Sequence, residues 1–326
     1  QGLDGPHLTI CQSHGRYYDR NAKAWKWMRP RLFCTCEDIF TQTFVLPYVI
    51  PMLENAGAYI YTARERDWQS NEAIVDNDTP TAQGTYTEQQ AHNQPSPWHN
   101  TADSIGFAQL KDTYEPGENP FTHGTARYTS CTTHAQTTTA QWKPDIPETG
   151  KYAVYISYQT LDNAIDDAHY TVYHKGGMTE FAVNQQMGGG TWVYLGTFEF
   201  EKGQNDTGKV TLDNRSNTPN GVVCADAVRF GGGMGNIAIE GVKSGLPRWA
   251  EGARYSSQWA GMRDSTYNYF NNEDDYKSDI QTRPRVANEL SGGSIYAPDL
   301  DGRKVPIELN VAFHSDAGFS KVDDLI

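Results

Sequence analysis

Residues 35–62 read TCEDIFTQTFVLPYVIPMLENAGAYIYT. Between positions 39 and 53 the apolar residues recur at helical spacing, and the final five residues, AYIYT, are typical of a strand. A mostly apolar segment, HLTICQS at 7–13, predicts another strand before this helix. The order strand, helix, strand predicts a parallel sheet, in which ligand sites lie at the carboxyl ends of the strands.

Several residues in this stretch indicate where its helix begins, bends and ends. Thr35 and Asp38 predict a capping box at the start. Pro47 and Pro51 predict a kink or break near the middle, because proline cannot donate the backbone hydrogen bond of a helix. Gly57 suits the position just after the helix, where a left-handed backbone is common.

The middle of the chain has a different pattern. Turn-forming residues after about residue 76 predict an exposed linker over 79–124. Short β-branched and aromatic runs separated by turn signals then predict an antiparallel β-sandwich over 125–236. The predicted fold class is α/β plus all-β: a parallel-sheet domain formed by 1–78 and 237–326, interrupted by this sandwich. A helix at RPRVANEL and a last strand at VPIELNVAFHS complete the second part of the parallel-sheet domain.

Composition excludes some functions. The formal net charge of −13 and the lack of a Lys/Arg stripe exclude nucleic acid as a partner. No apolar run approaches the roughly 18 residues of a membrane span. The chain starts at Gln1, without an initiator Met and without a recognisable signal peptide, which indicates a processed or trimmed product. The acidic composition suits a secreted protein, and the predicted location is secreted, periplasmic or on the cell surface. The sequence has five cysteines, and the one disulfide that we consider would join Cys131 to Cys224.

Three residues are candidate metal ligands. His14 follows the first strand, Glu37 starts the first helix, and His314 follows the last strand. Carboxyl ends of parallel strands and amino ends of the connecting helices meet at one edge of a sheet, so these side chains can converge. Two histidines and one carboxylate leave a fourth position open, which is the pattern of a catalytic zinc.

Two other interpretations of these residues stay open. Thiolates also bind zinc, so Cys11, Cys34 and Cys36 with His14 form a rival site. Alternatively, the two histidines simply bond loops and Glu37 stabilises the amino end of its helix.

At these residues the sequence resembles the zinc-dependent N-acetylmuramoyl-L-alanine amidases with an α/β catalytic domain. The resemblance is carried by SHGRYYD, by the segment from CEDIF to ARERD, by RPRVAN and by NVAFHSDAG. It implies that His14, Glu37 and His314 bind zinc, with Arg64 and Asp67 in the turn after the second strand. It also implies hydrolysis of the amide between the lactyl group of N-acetylmuramic acid and L-alanine in peptidoglycan.

The sequence departs from this family at a few positions. Arg16, Ala63 and Asp316 replace or interrupt family residues. Family members continue beyond the second histidine strand to another Glu that acts as the general base. The catalytic base is therefore unknown here and expected beyond Ile326, or on a second chain that completes the domain, since Glu289 and Glu308 do not replace it.

The middle of the chain resembles the golvesin-type β-sandwich, a module found beside polysaccharide-degrading enzymes such as xanthan lyases. The resemblance rests on AQWKPDIPETGKYAVYISY, on the segment from AHYTVYHK to LGTFEF, and on VVCADAVRF. It implies that Trp142, Tyr173 and Trp192 offer flat faces to sugar rings. The alternative for the two tryptophans is that they pack the core.

The leading functional hypothesis is a zinc-dependent cell-wall amidase whose partner is peptidoglycan or another glycan. The first alternative is a noncatalytic carbohydrate-binding or surface protein. The second is an accessory part of a polysaccharide-degrading enzyme similar to xanthan lyase, although we find no base with neutralising Arg or Lys that lyase chemistry needs.

Overall fold

A computed structural model describes residues 2–32, 34–78, 83–91 and 96–315 of the chain. The chain divides into two compact units, each built from separate segments. Unit 1 comprises Gln1–Trp68, Thr113–Glu118 and Met234–Ile326, and unit 2 comprises Gln69–Asp112 and Asn119–Gly233. Unit 1 therefore draws on both ends of the sequence.

The strands, in chain order, are β1 (His7–Cys11), β2 (Arg16–Asp19), β3 (Ala24–Trp27), β4 (Tyr59–Thr62), β5 (Ala73–Val75), β6 (Gly84–Gln90), β7 (His99–Asn100), β8 (Arg127–Ser130), β9 (Thr138–Pro144), β10 (Gly150–Ile156), β11 (Ala168–His174), β12 (Gly177–Val183), β13 (Val193–Phe200), β14 (Lys209–Asp213), β15 (Val222–Ala225), β16 (Val228–Phe230), β17 (Ala238–Ile239), β18 (Val242–Lys243) and β19 (Ile307–Ala312). The α-helices are α1 (Glu37–Phe40), α2 (Gln42–Phe44), α3 (Ile50–Ala56), α4 (Ala253–Trp259), α5 (Asp264–Tyr267) and α6 (Asp275–Ser291). A π-helical turn spans Val45–Val49 and a 3₁₀ turn spans Arg248–Ala250.

Unit 1 contains a three-stranded parallel sheet in the order β19-β1-β4. In its register Ile10 of β1 lies opposite Val311 on one side and Thr62 on the other. Ile10 is buried, with Leu8, Val45, Ile50 and Ile60 in the same apolar cluster. This core fixes the three strands side by side, so the turns that follow them lie at one edge.

The helical segment after β3 is broken, as its prolines predict. Pro47 lies in the π-helical turn, and Pro51 lies in the first turn of α3. Because proline lacks an N–H and crowds the preceding turn, the regular ladder of hydrogen bonds cannot continue through both positions. Gly57 ends α3 with φ 112°, in the left-handed conformation that glycine adopts readily.

The predicted capping box is wrong. The residue that caps α1 is Cys36, and its side chain makes no capping hydrogen bond. The Asp38 carboxylate instead accepts hydrogen bonds from the backbone N–H groups of Met28 (3.2 Å) and Arg29 (3.0 Å). The Asp38 carboxylate, which the local sequence pattern assigns to the start of the helix, therefore makes a tertiary contact instead.

Unit 1 contains a hairpin that the sequence does not predict and a helix that is longer than predicted. Residues 16–27, which the pattern indicates only as polar and aromatic, form the antiparallel hairpin β2–β3. The helix predicted at RPRVANEL extends over α6, because Asp274 caps its start by accepting from the N–H of Lys277 and Pro284 is accommodated inside. Polar residues leave the hairpin without a clear strand pattern, and Pro284 argues against a long helix at α6.

Unit 2 consists mainly of antiparallel sheets, as predicted. The larger sheets have the orders β13-β10-β16-β5 and β12-β11-β14-β9-β6. Their buried aromatic side chains include Trp142, Tyr152, Tyr170 and Phe230, which form one core. Residues 84–90, which the sequence pattern assigns to the linker, form β6 and pair with β9. This strand lies at the edge of its sheet, where polar side chains are tolerated, so its sequence lacks an apolar pattern.

All five cysteines are free thiols. The disulfide considered between Cys131 and Cys224 is therefore not formed; the Cys224 thiol is buried and accepts a hydrogen bond from the N–H of Gln159. Within the described ranges, every helix is too short or too polar to cross a membrane.

Candidate metal centre

The three predicted ligands lie together in unit 1. His14 follows β1, Glu37 is the first residue of α1, and His314 follows β19. One ligand atom from each lies within 4.8 Å of the others, and no other group of three His, Cys, Asp or Glu side chains within the described ranges meets this criterion. The parallel sheet explains the convergence, since the N–H of Phe313 donates to the carbonyl of Cys11 and extends the pairing to the residue before His314.

Glu37 is at the centre of this cluster. Its Oε1 atom lies 2.5 Å from Nδ1 of His314 and 3.9 Å from Nε2 of His14. The hydroxyl of Ser13 donates to the same oxygen at 2.5 Å. Its Oε2 atom lies 3.4 Å from Nε of Arg29. One carboxylate oxygen therefore faces the two imidazoles and the other faces a guanidinium.

His14 is buried as a neutral imidazole. Burial is the main cause that lowers its pKa to about 2, and the positive charges of Arg283 and Arg29 act in the same direction. Neither ring nitrogen has a hydrogen-bond partner among the described residues. A buried histidine without a partner is uncommon, because each unpaired polar atom costs free energy. A neutral, unpaired imidazole is also the form that binds a metal ion.

The turn that presents His14 is held by tight backbone contacts. Arg64 follows β4, is buried, and donates to the carbonyl groups of Gln12 and His14. A Cβ atom at Gly15 would lie 2.4 Å from the main-chain oxygen of Glu251. Position 15 therefore requires glycine. Arg64, which the sequence places near the site, binds the backbone of this turn rather than Glu37 or the His314 side chain.

The residues fit a zinc ion. Two imidazoles and one carboxylate are ligands that zinc prefers, and three protein ligands leave an open position. The ring nitrogens of His14 are buried and have no hydrogen-bond partner among the described residues, and a bound cation would satisfy one of them directly. The rival thiolate site is not assembled, because the thiol of Cys11 donates to the carbonyl of Ser13 and Cys34 is exposed.

Access to the cluster is from the side of His314. The His314 side chain is 40% exposed, whereas that of Glu37 is fully buried. A ligand in solvent can therefore reach the cluster past His314. Asp316 and the general base expected beyond Ile326 lie outside the described residues, so they stay predictions.

Sequence reasoning missed Ser13 and Arg29. Ser13 adjoins His14 and has a left-handed backbone, with φ 63°, but nothing in its residue type signals a contact with Glu37. Arg29 reaches the cluster because β2 and β3 form a hairpin that returns the chain to it. The signal for this hairpin is weak, since its strands do not alternate between apolar and polar residues.

The predicted sugar-binding aromatics of unit 2 have different surroundings. Trp142 is 0% exposed and donates from Nε1 to the carbonyl of Asp226. Trp192 is 8% exposed and packs against Phe107. Both tryptophans belong to packed interior regions, so their faces are not available to sugars and that prediction is corrected.

Tyr173 lies instead in an open groove of about 620 Å³. We call this the Tyr173 groove; it is lined by Tyr173, His174, Lys175, Gly176, Gly177, Met178, Glu201, Asp206 and Thr207. The ammonium group of Lys209 lies 5.1 Å from the centre of the Tyr173 ring. An aromatic ring beside acidic, basic and hydroxyl groups is a suitable composition for a polar ligand that also has apolar faces.

The middle of the chain is similar to a known protein family. Residues 101–232 match the Golvesin C-terminal domain family. A xanthan lyase from Bacillus sp. (strain GL1) is 39% identical over 95 residues, which are 29% of this chain and 10% of that protein. These matches support a golvesin-type domain similar to part of a xanthan lyase. The chain spans about a tenth of the length of this curated relative.

Solved structures similar to the chain include a Paenibacillus xanthan lyase, with 28% identity and a TM-score of 0.36 over 49% of this chain and 13% of that one. Another is the K1 cleaved adhesin domain of Lys-gingipain from Porphyromonas gingivalis, with 17% identity and a TM-score of 0.28. The latter match covers 49% of this chain and 97% of the adhesin domain.

Proposed function

We propose that unit 1 binds zinc through His14, Glu37 and His314 and belongs to a cell-wall hydrolase that cleaves the N-acetylmuramoyl-L-alanine amide of peptidoglycan. The observation that supports this proposal is the convergence of the three side chains within 4.8 Å around a buried, unpartnered His14. The proposal rests on this geometry and on the resemblance of the motifs, since the matched family and the relatives named above are not described as amidases.

Zinc held by these ligands would supply a Lewis acid for a carbonyl oxygen and a water of lowered pKa. The protein residues around it have separate tasks. Ser13 orients the Oε1 atom of Glu37 by hydrogen bonding, while Arg64 and Gly15 fix the backbone that carries His14. The exposed side of His314 provides the approach for the amide substrate.

Zinc content per chain tests this proposal. We expect about one zinc per chain in the purified protein and loss of that zinc in His14→Ala and His314→Ala. His134→Ala is the matched control, because His134 is an exposed histidine in unit 2. Equal zinc content in all four proteins, or none in any, would contradict the proposed site.

The reaction itself is tested on peptidoglycan with a protein that includes the expected base. Amidase activity exposes new amino-terminal L-alanine without new reducing sugar ends, so both products should be measured. Appearance of reducing ends without new amino-terminal L-alanine would indicate a glycan-cleaving enzyme instead. Such a result would leave the metal site intact and overturn the proposed reaction.

The second candidate function is binding of polysaccharide without catalysis, or an accessory role in a polysaccharide-degrading enzyme. The golvesin-type match and the xanthan lyase relative favour it more directly than they favour amidase activity. Under this proposal the Tyr173 groove binds the glycan, and the protein is secreted, periplasmic or on the cell surface. Glycan is also the partner that the first proposal needs.

Retention of the protein on insoluble peptidoglycan and on immobilised xanthan tests this candidate. We expect Tyr173→Ala to weaken retention about fivefold, since contact of a sugar with an aromatic face contributes on the order of 1 kcal/mol. Tyr296→Ala is the control, because Tyr296 is a tyrosine of unit 1 that is 56% exposed. Equal retention of all three proteins would eliminate the Tyr173 groove as the binding site.

A further inference from the structure

Arg29 lies beside the candidate metal centre without being one of its ligands. Its Nε atom is 3.4 Å from Oε2 of Glu37, and its Nη1 atom donates to the hydroxyl of Tyr276 at 2.8 Å. The Asp38 carboxylate also accepts a hydrogen bond from the backbone N–H of Arg29. The backbone and the guanidinium are therefore both fixed, and the guanidinium is fixed at the edge of the cluster.

Three arginines act on His14, and they differ in their exposure to solvent. Arg283, Arg29 and Arg64 are all close enough to His14 for their charges to act on it. Arg64 is 1% exposed and Arg283 is 7% exposed. The side chain of Arg29 is 24% exposed. Of these three, Arg29 is the one that a bound substrate can meet.

The charge at this edge favours an anion. Histidine binds a metal ion as the neutral imidazole. The Glu37 carboxylate would therefore offset one of the two charges of a bound zinc ion, and Arg29 would add another positive charge beside it. A guanidinium binds carboxylates through paired, charge-assisted hydrogen bonds, which are stronger than those between neutral groups. Among the described residues, the Nη2 atom of Arg29 has no hydrogen-bond partner, so a donor remains for a ligand.

We infer that Arg29 is a specificity-determining residue that binds a carboxylate of the substrate next to the scissile amide. This inference rests on the proposed function. In the N-acetylmuramoyl-L-alanine linkage the lactyl carboxyl is already part of the amide, so the nearby free carboxylate belongs to the peptide residue after L-alanine. The site then prefers stem peptides in which this carboxylate is free over peptides in which it is amidated.

The test is binding of two peptides that differ in this one group. N-acetyl-L-alanyl-D-glutamate and N-acetyl-L-alanyl-D-isoglutamine, its α-amide, are titrated calorimetrically into the full chain with and without zinc. We expect the acid to bind about tenfold more tightly than the amide, the size of a charge-assisted hydrogen bond relative to a neutral one. Equal binding of the two peptides, or no measurable binding of either, would overturn the inference.

Variants assign the preference to the guanidinium. Arg29→Met should remove the preference for the acid, and Arg29→Lys should retain part of it, because lysine keeps the charge but not the paired geometry. Arg31→Met is the matched control, since Arg31 is an exposed arginine two residues away. A preference that survives in Arg29→Met would assign acid binding to another group and reject the role of Arg29.

The failure of this inference is distinguishable from failure of the proposed function. Absence of zinc or of amide cleavage would reject the proposed function, whereas the comparison of acid and amide is read without turnover. Zinc content of Arg29→Met is measured in parallel and the titrations are made at saturating zinc, because Arg29 contacts Glu37 and its loss can change the metal affinity. If Arg29→Met does not fold, the comparison of the two peptides in the unmodified chain and in Arg29→Lys still decides.

Discussion

The guanidinium of Arg64, after β4, donates a hydrogen bond to the main-chain carbonyl of His14, after β1. The two residues thus join the turns that follow neighbouring parallel strands. Arg64 also donates to the carbonyl groups of Gln12, Trp249 and Glu251. One buried side chain therefore joins the turn that contains His14 to the chain segment that precedes α4.

Replacement of Arg64 tests this role. Arg64→Ala leaves several buried carbonyl groups without a donor, so we expect the free energy of unfolding to fall by about 3 kcal/mol or more. The measurement is urea unfolding monitored by tryptophan fluorescence. Arg31→Ala, at an exposed arginine, should change stability by less than about 0.5 kcal/mol. A small effect of Arg64→Ala would mean that water replaces the guanidinium in this turn.

Gly15 gives a second prediction about the same turn. A Cβ atom there would lie 2.4 Å from the main-chain oxygen of Glu251, so Gly15→Ala must displace backbone. We expect a loss of about 2 kcal/mol in stability, as for other overpacked sites, together with weaker zinc binding. Gly2→Ala is the control, because a Cβ atom at Gly2 would have no other atom within 4 Å. Wild-type stability of Gly15→Ala would show that the segment around Glu251 yields easily.

Ser13 donates a hydrogen bond to Glu37, one of the proposed metal ligands. Ser13→Ala removes the hydroxyl that donates to Oε1 of Glu37 at 2.5 Å. Partners of metal ligands typically affect affinity by about tenfold or more, so we expect at least that loss of zinc affinity in a chelator competition. Ser104→Ala is a matched control, since Ser104 is exposed and also has a left-handed backbone, with φ 65°. Unchanged affinity in Ser13→Ala would place the orienting function elsewhere.

Glu251 makes stability depend on pH. Burial raises the pKa of its carboxyl from the usual 4.5 to about 7, although the hydroxyl of Ser244 and the charge of Arg248 act in the opposite direction. Between these two values the folded chain keeps a proton that the unfolded chain releases. Stability contributed by this group is therefore complete below pH 4.5 and falls as the pH rises through about 7.

Glu251→Gln should abolish this dependence. The variant cannot ionise and still offers Oε1 to the Ser244 hydroxyl, so above pH 7 we expect it to be more stable than the unmodified chain by up to about 3 kcal/mol. Urea unfolding at pH 5 and pH 8 measures the difference. Glu273→Gln, at an exposed glutamate, should follow the unmodified chain. Parallel pH profiles of Glu251→Gln and the unmodified chain would refute the proposed origin of the dependence.

The sequence predicts that the three candidate ligands converge, because general rules of parallel sheets place these side chains at one edge. His14, Glu37 and His314 are far apart in sequence, but each follows a strand or starts a helix, and such positions share one edge of a sheet. The break at Pro47 and Pro51 and the end of the helix at Gly57 are likewise predictable, since each depends on the backbone chemistry of a single residue.

Contacts between distant segments could not be predicted in the same way. Asp38 satisfies the local rule for a capping box, yet it binds backbone N–H groups of the residues that follow β3. The side chains of Trp142 and Trp192 suit either a flat surface for sugar rings or a buried core, and their burial decides between the two. Arg29 becomes a site residue through the hairpin β2–β3, whose pairing leaves little pattern in the sequence.

The pairing of β1 with β19 has a consequence for biosynthesis. Thr9 and Asn310 bond across 301 residues of chain, so β1 emerges from the ribosome long before its neighbour exists. Unit 2 is complete in the nascent chain by then, and its ends adjoin, since the N–H of Gly233 donates to the carbonyl of Gln69. Folding of that unit first would shorten the loop that the pairing must close and lower its entropic cost. The candidate metal centre would then assemble last, because His314 is the final one of its three side chains to be translated.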